Sequence, residues 1–488
     1  MNMKKTSLMF IAYGLLVFAG LFLFLSFVNP LVPYDADDWL YISELRKPIP
    51  MLHIWNPIKV FPETFMPLMS YFGVFVINPL INDYCRSFSI AHGLFGSIIL
   101  TIYFVQFPIL FYKRKFASVT TSIGYGCLFL LLHFISHIFK GYDNFFLIGS
   151  VNMTCFYNYV LPDVLNAALV MHFMSYGGVK AWYKNSSLFH KALVLIWTYF
   201  AIFSNLYSTA VLATYVGTEL LLQLIKEIKS KSFYLKEYCI DNWQNLVLIL
   251  WWFVANLIET TGGRAGDMQK SLIANLPITI IHTLKGIFVI NVFIIIFEIA
   301  VFFLWNKKRT KSNGTLKRFM LYIGLELVYL IILSASVEAS YMSRSEVTLC
   351  EFFYIFLGTI ACLNQLIKLN KKNSYLLGIL LGTFILFFIN PGRLFCPYNF
   401  SYVSYDKCEA VMNDVINQFQ AAQDQGLDEI DLEVPYFEAD GNWPIADYIG
   451  ERMAKAVYRF KITDKYITVK NLVITEEKNK QFGISSAR

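Results

Sequence analysis

Three carboxylates lie within four positions near the start of the chain. Asp35, Asp37 and Asp38 belong to the stretch DADDWLY, which follows an apolar run of about twenty residues. Adjacent carboxylates repel each other, so either Asp37 or Asp38 is expected to have a raised pKa, which suits a general base. The structural alternative is that Asp35 caps a short helix and Asp38 lies in its first turn.

The elements that must position this cluster are predicted to be membrane helices. Of the 488 residues, 56% are hydrophobic and 15% are charged, whereas soluble domains carry about 25% charged residues. The sequence therefore predicts an α-helical polytopic membrane protein, with a membrane domain over 1–390 and a first outer loop over 30–87. About eleven apolar runs are long enough to span a bilayer: 8–28, 88–112, 117–139, 158–177, 189–203, 207–225, 243–258, 285–305, 319–337, 348–366 and 374–390.

Basic residues predict how these spans are oriented. With this list of spans, every basic cluster falls on one side, and positively charged short loops face the cytoplasm. The N-terminus is then cytoplasmic, in a cell (inner) membrane, and the acidic cluster faces outward. The run 65–81 is predicted to be an interfacial or re-entrant helix, since counting it as a span would place a basic cluster outside. This distribution of charge also argues against a nucleic-acid-binding protein.

The composition changes after about residue 390. The segments DKCEAVMNDVINQFQAAQDQG and PIADYIGERMAKAV have helical periodicity, and LDEIDLEVP and YITVKNLVI are typical of strands. Residues 391–488 are therefore predicted to form a small soluble α/β domain. The count of spans places this domain outside the cytoplasm.

Other outward-facing segments carry groups suited to an anionic or sugar ligand. The guanidinium fork of arginine pairs well with phosphate oxygens, and aromatic rings can stack on sugars. Several of them also have a structural alternative: an ion pair for Arg344, a helix cap for Asn205, and interfacial anchoring for Trp39 and Tyr41. The candidate substrate-binding residues are Arg264, Arg344, Asn205, Asn158, Asp163, Trp39 and Tyr41.

Four stretches carry a resemblance to a known group of proteins: DADDWLY, SVNMTCFYNYVLPDVLNAAL (150–169), FSNLYSTAVL (203–212) and ETTGGRAGD (259–267). In their order and placement they resemble the GT-C superfamily of membrane glycosyltransferases. Within it they are similar to the bacterial families with a DDW motif, which include O-antigen glucosyltransferases and related uncharacterised multi-pass proteins. The last stretch departs from the family's Pro-Gly-Asn-x-x-Arg form at Gly262 and Gly263.

The resemblance implies transfer of a sugar from a polyprenyl-phosphate donor to a glycan or lipid acceptor of the cell envelope. Asp37, Asp38 and Asp35 would then be the catalytic carboxylates. No cofactor is required by the sequence, although three neighbouring carboxylates also suit a divalent cation such as Mg²⁺ or Mn²⁺. The alternative function is a transporter or flippase of a lipid-linked or small polar solute, favoured by the mid-span Glu326.

Overall fold

The architecture is that of a bundle of long apolar helices with a small α/β unit at its C-terminal end. The computed structural model describes residues 3–34, 36–139, 143–145, 147–150, 152–263, 272–307, 314–389, 403–436 and 448–485. The helices are α1 Met3–Leu23, α2 Ala36–Tyr41, α3 Val60–Phe72, α4 Asn78–Ile81, α5 Tyr84–Lys113, α6 Val119–Ile135, α7 Met153–Cys155, α8 Leu161–Tyr176, α9 Val179–Asn185, α10 Leu188–Ile202, α11 Leu206–Lys229, α12 Leu235–Asp241, α13 Trp243–Glu259, α14 Leu272–Phe288, α15 Val292–Lys307, α16 Gly314–Ser336, α17 Ser345–Leu369, α18 Tyr375–Ile389, α19 Tyr405–Asp424, α20 Ile449–Arg459 and α21 Glu476–Phe482.

Six helical stretches within the described residues are long and apolar enough to cross a membrane. They are Lys4–Val28, Val60–Ile81, Tyr84–Lys113, Leu206–Lys229, Lys317–Ser336 and Ser345–Leu369. Four shorter apolar helices accompany them: α6, α10, α13 and α14. The chain is therefore a helical protein suited to a lipid bilayer, as the composition predicts.

Short polar side chains determine where several of these helices begin. The Asp83 carboxylate accepts a hydrogen bond from the Arg86 backbone at 2.9 Å and caps α5. Ser118 caps α6 in the same way. Each of these groups pairs a backbone N–H that the first helical turn leaves without a partner.

Five of the eleven predicted spans coincide with five of the six long stretches, and another five correspond to shorter helices, namely the predicted spans 117–139, 158–177, 189–203, 243–258 and 374–390. Two further segments also differ from the prediction. The predicted span 285–305 is divided between α14 and α15, because Asn291 interrupts the helix and its side-chain oxygen accepts the Phe293 N–H at 3.0 Å. The 65–81 segment lies within one helical run, Val60–Ile81, which continues through Pro67 and a π-helical turn and is long enough to cross a membrane.

The C-terminal unit contains the four elements that the periodicity predicts, together with α21. Strands β3 (Glu429–Pro435) and β4 (Thr468–Thr475) pair in parallel, with α20 between them in the chain. Helix α19 packs on β3 and buries Cys408, Val411 and Val415. An additional antiparallel pair, β1 (His137–Phe139) and β2 (Asp143–Phe145), lies in the membrane part.

The C-terminal unit docks on the segment that follows the first long helix. Arg459 of α20 forms an ion pair with Glu44. The Phe460 ring lies edge-on to two rings of the membrane part, 5.3 Å from Tyr71 and 5.4 Å from Phe88. Because Phe460 is buried, this contact fixes the unit at the end of the bundle where 29–59 lies, which we refer to as the loop end.

Candidate functional site

The two adjacent aspartates at the loop end have different environments. Helix α2 turns the Asp37 side chain toward solvent and buries Asp38 completely. Asp38 Oδ1 accepts hydrogen bonds from the backbone N–H of Thr154 at 2.7 Å and from its hydroxyl at 2.5 Å, and Oδ2 accepts from the Tyr34 N–H at 3.2 Å. Asp38 therefore ties the first loop to the start of α7.

Burial dominates the protonation of Asp38. It raises the pKa of this carboxyl from its ordinary 3.8 to about 6, although the hydrogen bonds from Thr154 and Tyr34 act in the opposite direction. The nearby charge of Asp37 contributes a further, smaller rise to the Asp38 pKa. The sequence attributes a raised pKa in this pair to repulsion between the carboxylates, whereas burial is the larger cause at Asp38.

This raised pKa makes the stability of the protein depend on pH. Raising the pKa from 3.8 to about 6 corresponds to about 3 kcal/mol. This favourable contribution is fully present below pH 3.8 and is lost as the pH rises through about 6, because folding then requires a buried, ionised carboxylate.

We expect Asp38→Asn to flatten the fall in unfolding temperature between pH 4 and pH 7.5, as measured by tryptophan fluorescence in detergent. The exposed Asp37→Asn should retain most of the fall, and identical profiles for wild type and Asp38→Asn would contradict this account.

A chain of hydrogen bonds extends from Asp38 into the bundle. The Asn158 amide donates to the Thr154 carbonyl at 2.9 Å, and the Asn205 amide donates to the Asn158 carbonyl at 2.7 Å. Asn205 also caps α11 by accepting the Tyr207 N–H at 3.0 Å. Three of the predicted site residues, Asp38, Asn158 and Asn205, therefore belong to one buried network.

Asn205 forms part of the wall of a cavity of about 220 Å³ at the loop end. Its lining combines polar groups and tyrosines with apolar side chains, which include Leu257 of α13 and Leu333 of α16. Its lining residues are Ile58, Lys59, Tyr159, Asn205, Leu206, Tyr207, Asn256, Leu257, Glu259, Thr260, Leu333, Val337 and Tyr341. Pockets that enclose a drug-sized ligand have roughly 300–1,000 Å³, so this cavity suits a group of about the size of one sugar ring.

Three tyrosines and one arginine are grouped beside this cavity. The ring of Tyr341 lies 6.3 Å from that of Tyr159 and 5.6 Å from that of Tyr207. The Arg344 guanidinium stacks on Tyr341 at 4.6 Å from the ring centre, interacts electrostatically with Glu346 and lies near Cys155. Arg344 is thus close to the helix end that Asp38 binds, and it is only partly buried.

The first loop also brings Lys59 to the cavity, a residue that the sequence analysis does not single out. Lys59 is 7% exposed. The preceding backbone is held by Glu259, whose Oε2 accepts the Ile58 N–H at 3.1 Å. Arg46 pairs with Glu63 at 2.8 Å on the other side of the loop. Both Lys59 and Glu259 line the cavity, so they join the candidate site.

The remaining predicted residues have other surroundings. Trp39 is buried in the core, and the Tyr41 hydroxyl accepts a hydrogen bond from the Asn56 amide at 3.0 Å. Asp163 is buried in α8, where it interacts electrostatically with Glu326 rather than lining the cavity. Asp35 and Arg264 lie outside the described residues.

Within the described ranges, no group of three or more His, Cys, Asp and Glu side chains is arranged to hold a metal ion. Because Asp35 lies outside those ranges, a divalent cation at the carboxylate cluster stays a prediction. Comparison with family models, curated proteins and solved structures found no match to this chain. The functional interpretation therefore depends on the site itself and on the short motifs.

Proposed function

We propose that this protein is a membrane glycosyltransferase that moves a sugar from a polyprenyl-phosphate donor to a glycan or lipid acceptor of the cell envelope. The observation that supports this best is the composition of the cavity. The cavity combines Lys59, Asn205 and tyrosines with apolar side chains such as Leu257. Leu257 is 51% exposed, on an apolar helix surface of the kind that lipid covers. A substrate with a polar head and a hydrocarbon chain needs both kinds of surface at one place.

The cations of the site are suited to the phosphate of the donor. Negative charge grows on this phosphate as the bond to the anomeric carbon breaks, so fixed cations stabilise the transition state more than the ground state. Lys59 in the cavity wall and Arg344 beside Tyr341 would supply that charge. Tyr159, Tyr207 and Tyr341 would contact the sugar through their rings.

The two aspartates would have separate roles. Asp37 is the exposed carboxylate, and it would accept the proton of the acceptor hydroxyl as that oxygen attacks the anomeric carbon. The phosphate leaves with the electron pair of the broken bond. Asp38 is buried behind three hydrogen bonds and would act as a positioning residue that joins α2 to the start of α7.

This function requires the site to lie at the outer face of the cell (inner) membrane. The basic clusters of the sequence support a cytoplasmic N-terminus, and the C-terminal unit would then be extracytoplasmic. Because that unit docks on the first loop through Arg459 and on α3 through Phe460, it would lie next to Asp37, where an acceptor must approach.

The proposal is tested by reconstituting the full chain in liposomes with a polyprenyl-phosphate hexose and an envelope lipid extract as acceptor. We expect release of polyprenyl phosphate together with a product heavier by one hexose, both measured by mass spectrometry. Nucleotide-linked hexose in place of the lipid donor should give no product. Absence of transfer from a panel of polyprenyl-phosphate hexoses, with protein that remains folded, would contradict the proposal.

A second candidate is transport, which buried carboxylates in the bundle favour. Asp163 in α8 and Glu326 in α16 are buried, and the two carboxyl groups lie close enough to interact electrostatically with each other. Buried ionisable groups in membrane helices commonly mark ion or proton pathways. Solute uptake into vesicles that depends on Glu326, with no sugar transfer, would favour this function over the enzyme.

A further inference from the structure

The segment 47–55, which we term the apolar loop, has an unusual composition for a connection between helices. Its sequence is KPIPMLHIW, in which only Lys47 and His53 are polar. Large side chains point outward along it: Ile49 is 53% exposed, Leu52 56% and Trp55 53%. Ordinary surface loops are polar, so a contiguous exposed apolar loop indicates a surface that something covers.

The backbone of the apolar loop is held by hydrogen bonds at several points. The Tyr199 hydroxyl donates to the Pro48 carbonyl at 2.7 Å, and the Gly263 N–H donates to the Ile54 carbonyl at 3.0 Å. The Arg46 guanidinium donates to the carbonyls at both ends of the loop, those of Ile49 and Pro57. The apolar side chains are therefore presented outward by a fixed backbone.

The position of the apolar loop indicates what covers it. Its anchors are at the ends of α10 and α13, and both helices expose apolar faces of the kind that lipid covers, including Ile196 at 56% and Phe253 at 51%. The apolar loop continues that surface beyond the helix ends. It also carries a tryptophan and a lysine, which are residues typical of the boundary between hydrocarbon and headgroups.

We propose that the apolar loop inserts into the headgroup and upper acyl region of the bilayer and anchors the loop end at a fixed depth. Leu52 and Trp55 enter the apolar layer while Lys47 stays among the lipid phosphates. Ile58 and Lys59 follow directly and line the cavity. The insertion depth therefore sets the height of the cavity above the hydrocarbon layer, whatever reaction the cavity supports.

Spin-label accessibility in liposomes tests this insertion. Leu52→Cys is labelled with a nitroxide in a full-length parent in which the exposed Cys127 and Cys239 are replaced by serine, and signal from the labelled parent itself is subtracted. We expect collisions with lipid-soluble oxygen to exceed those with a water-soluble nickel chelate several-fold. Two matched sites calibrate the scale: Leu250→Cys on the exposed face of α13 and Leu427→Cys in the C-terminal unit.

The outcomes separate the possible occupants of this surface. Accessibility at Leu52 that lies between those of Leu250 and Leu427, or matches that of Leu250, supports insertion into lipid. Accessibility that matches Leu427 places the apolar loop in water and overturns the proposal. Dipolar broadening between labels at Leu52 would show that a second copy of the chain covers the apolar loop, and it would overturn the proposal as well.

Discussion

Exchange of Asp37 for asparagine is expected to lower the rate of sugar transfer by about 10²- to 10⁴-fold, which is the usual contribution of a general base. Asparagine keeps the size of the side chain but cannot accept the proton of the acceptor hydroxyl. Because Asp37 is exposed, the substitution should leave the unfolding temperature within about 1 °C of wild type, an effect below about 0.5 kcal/mol. Initial rates of hexose transfer in liposomes, at saturating donor, measure the loss.

Two matched variants make this result specific. Asp424→Asn removes an exposed carboxylate in the C-terminal unit and should leave transfer unchanged. Glu259→Gln alters the carboxylate that lines the cavity and should reduce transfer less than Asp37→Asn, since its oxygen already holds the Ile58 N–H. Full activity of Asp37→Asn together with loss in Glu259→Gln would assign the base to Glu259 and contradict the role of Asp37.

The sequence predicts that the acidic stretch 35–38 is a functional cluster, but not which of its carboxylates is buried and which is exposed. Repulsion between neighbours predicts one raised pKa within the pair. Only the fold decides that Asp38 is the buried member, because its partner Thr154 is 116 positions away in the chain. The same limit applies to Asn205: its capping role is visible locally, whereas its bond to the Asn158 carbonyl requires the packing of α11 against the segment before α8.

The cavity could not be predicted from local pattern. Lys59 lies in an ordinary-looking stretch, NPIKVFP, and Glu259 ends a long apolar helix. Lys59 has no neighbour in sequence that indicates a ligand, and Glu259 begins the stretch ETTGGRAGD, in which Arg264 rather than Glu259 is the candidate ligand group. They meet because the backbone of the first loop crosses to the end of α13, where the Glu259 carboxylate binds the Ile58 N–H. A contact between positions about two hundred residues apart leaves no periodic signal in one sequence.

Hydropathy predicts five of the six stretches that are long and apolar enough to cross a membrane, and it fails where a polar group interrupts an apolar run. The stretch 285–305 is mostly apolar, with Asn291 and Glu298 inside it, so an average over about twenty residues treats it as one span. Asn291 divides it because its side chain is buried, donates to the Ile135 carbonyl at 2.9 Å and caps α15. Capping acts over a few residues, which such an average cannot resolve.

Exchange of Lys59 for methionine is expected to lower kcat/KM for the lipid donor by about 30- to 700-fold, or about 2–4 kcal/mol, the usual cost of truncating one partner of a buried charge pair. Methionine preserves much of the volume and removes the cation. Lys59 is only 7% exposed. In Lys59→Met, water therefore cannot fully take the place of the ammonium group at the donor phosphate. Initial rates at several donor concentrations separate this loss from an effect on the acceptor.

Charge and structure are distinguished by two further variants. Lys59→Arg keeps the cation and should recover most of the activity, while Lys47→Met removes an exposed lysine of the same loop and should change kcat/KM for the donor little. Lys59 also interacts electrostatically with Glu63, so Lys59→Met will lower the unfolding temperature somewhat. If Lys59→Met kept full kcat/KM for the donor and remained folded, the cation would have no part in donor binding, and Arg344 alone would be left to bind the phosphate.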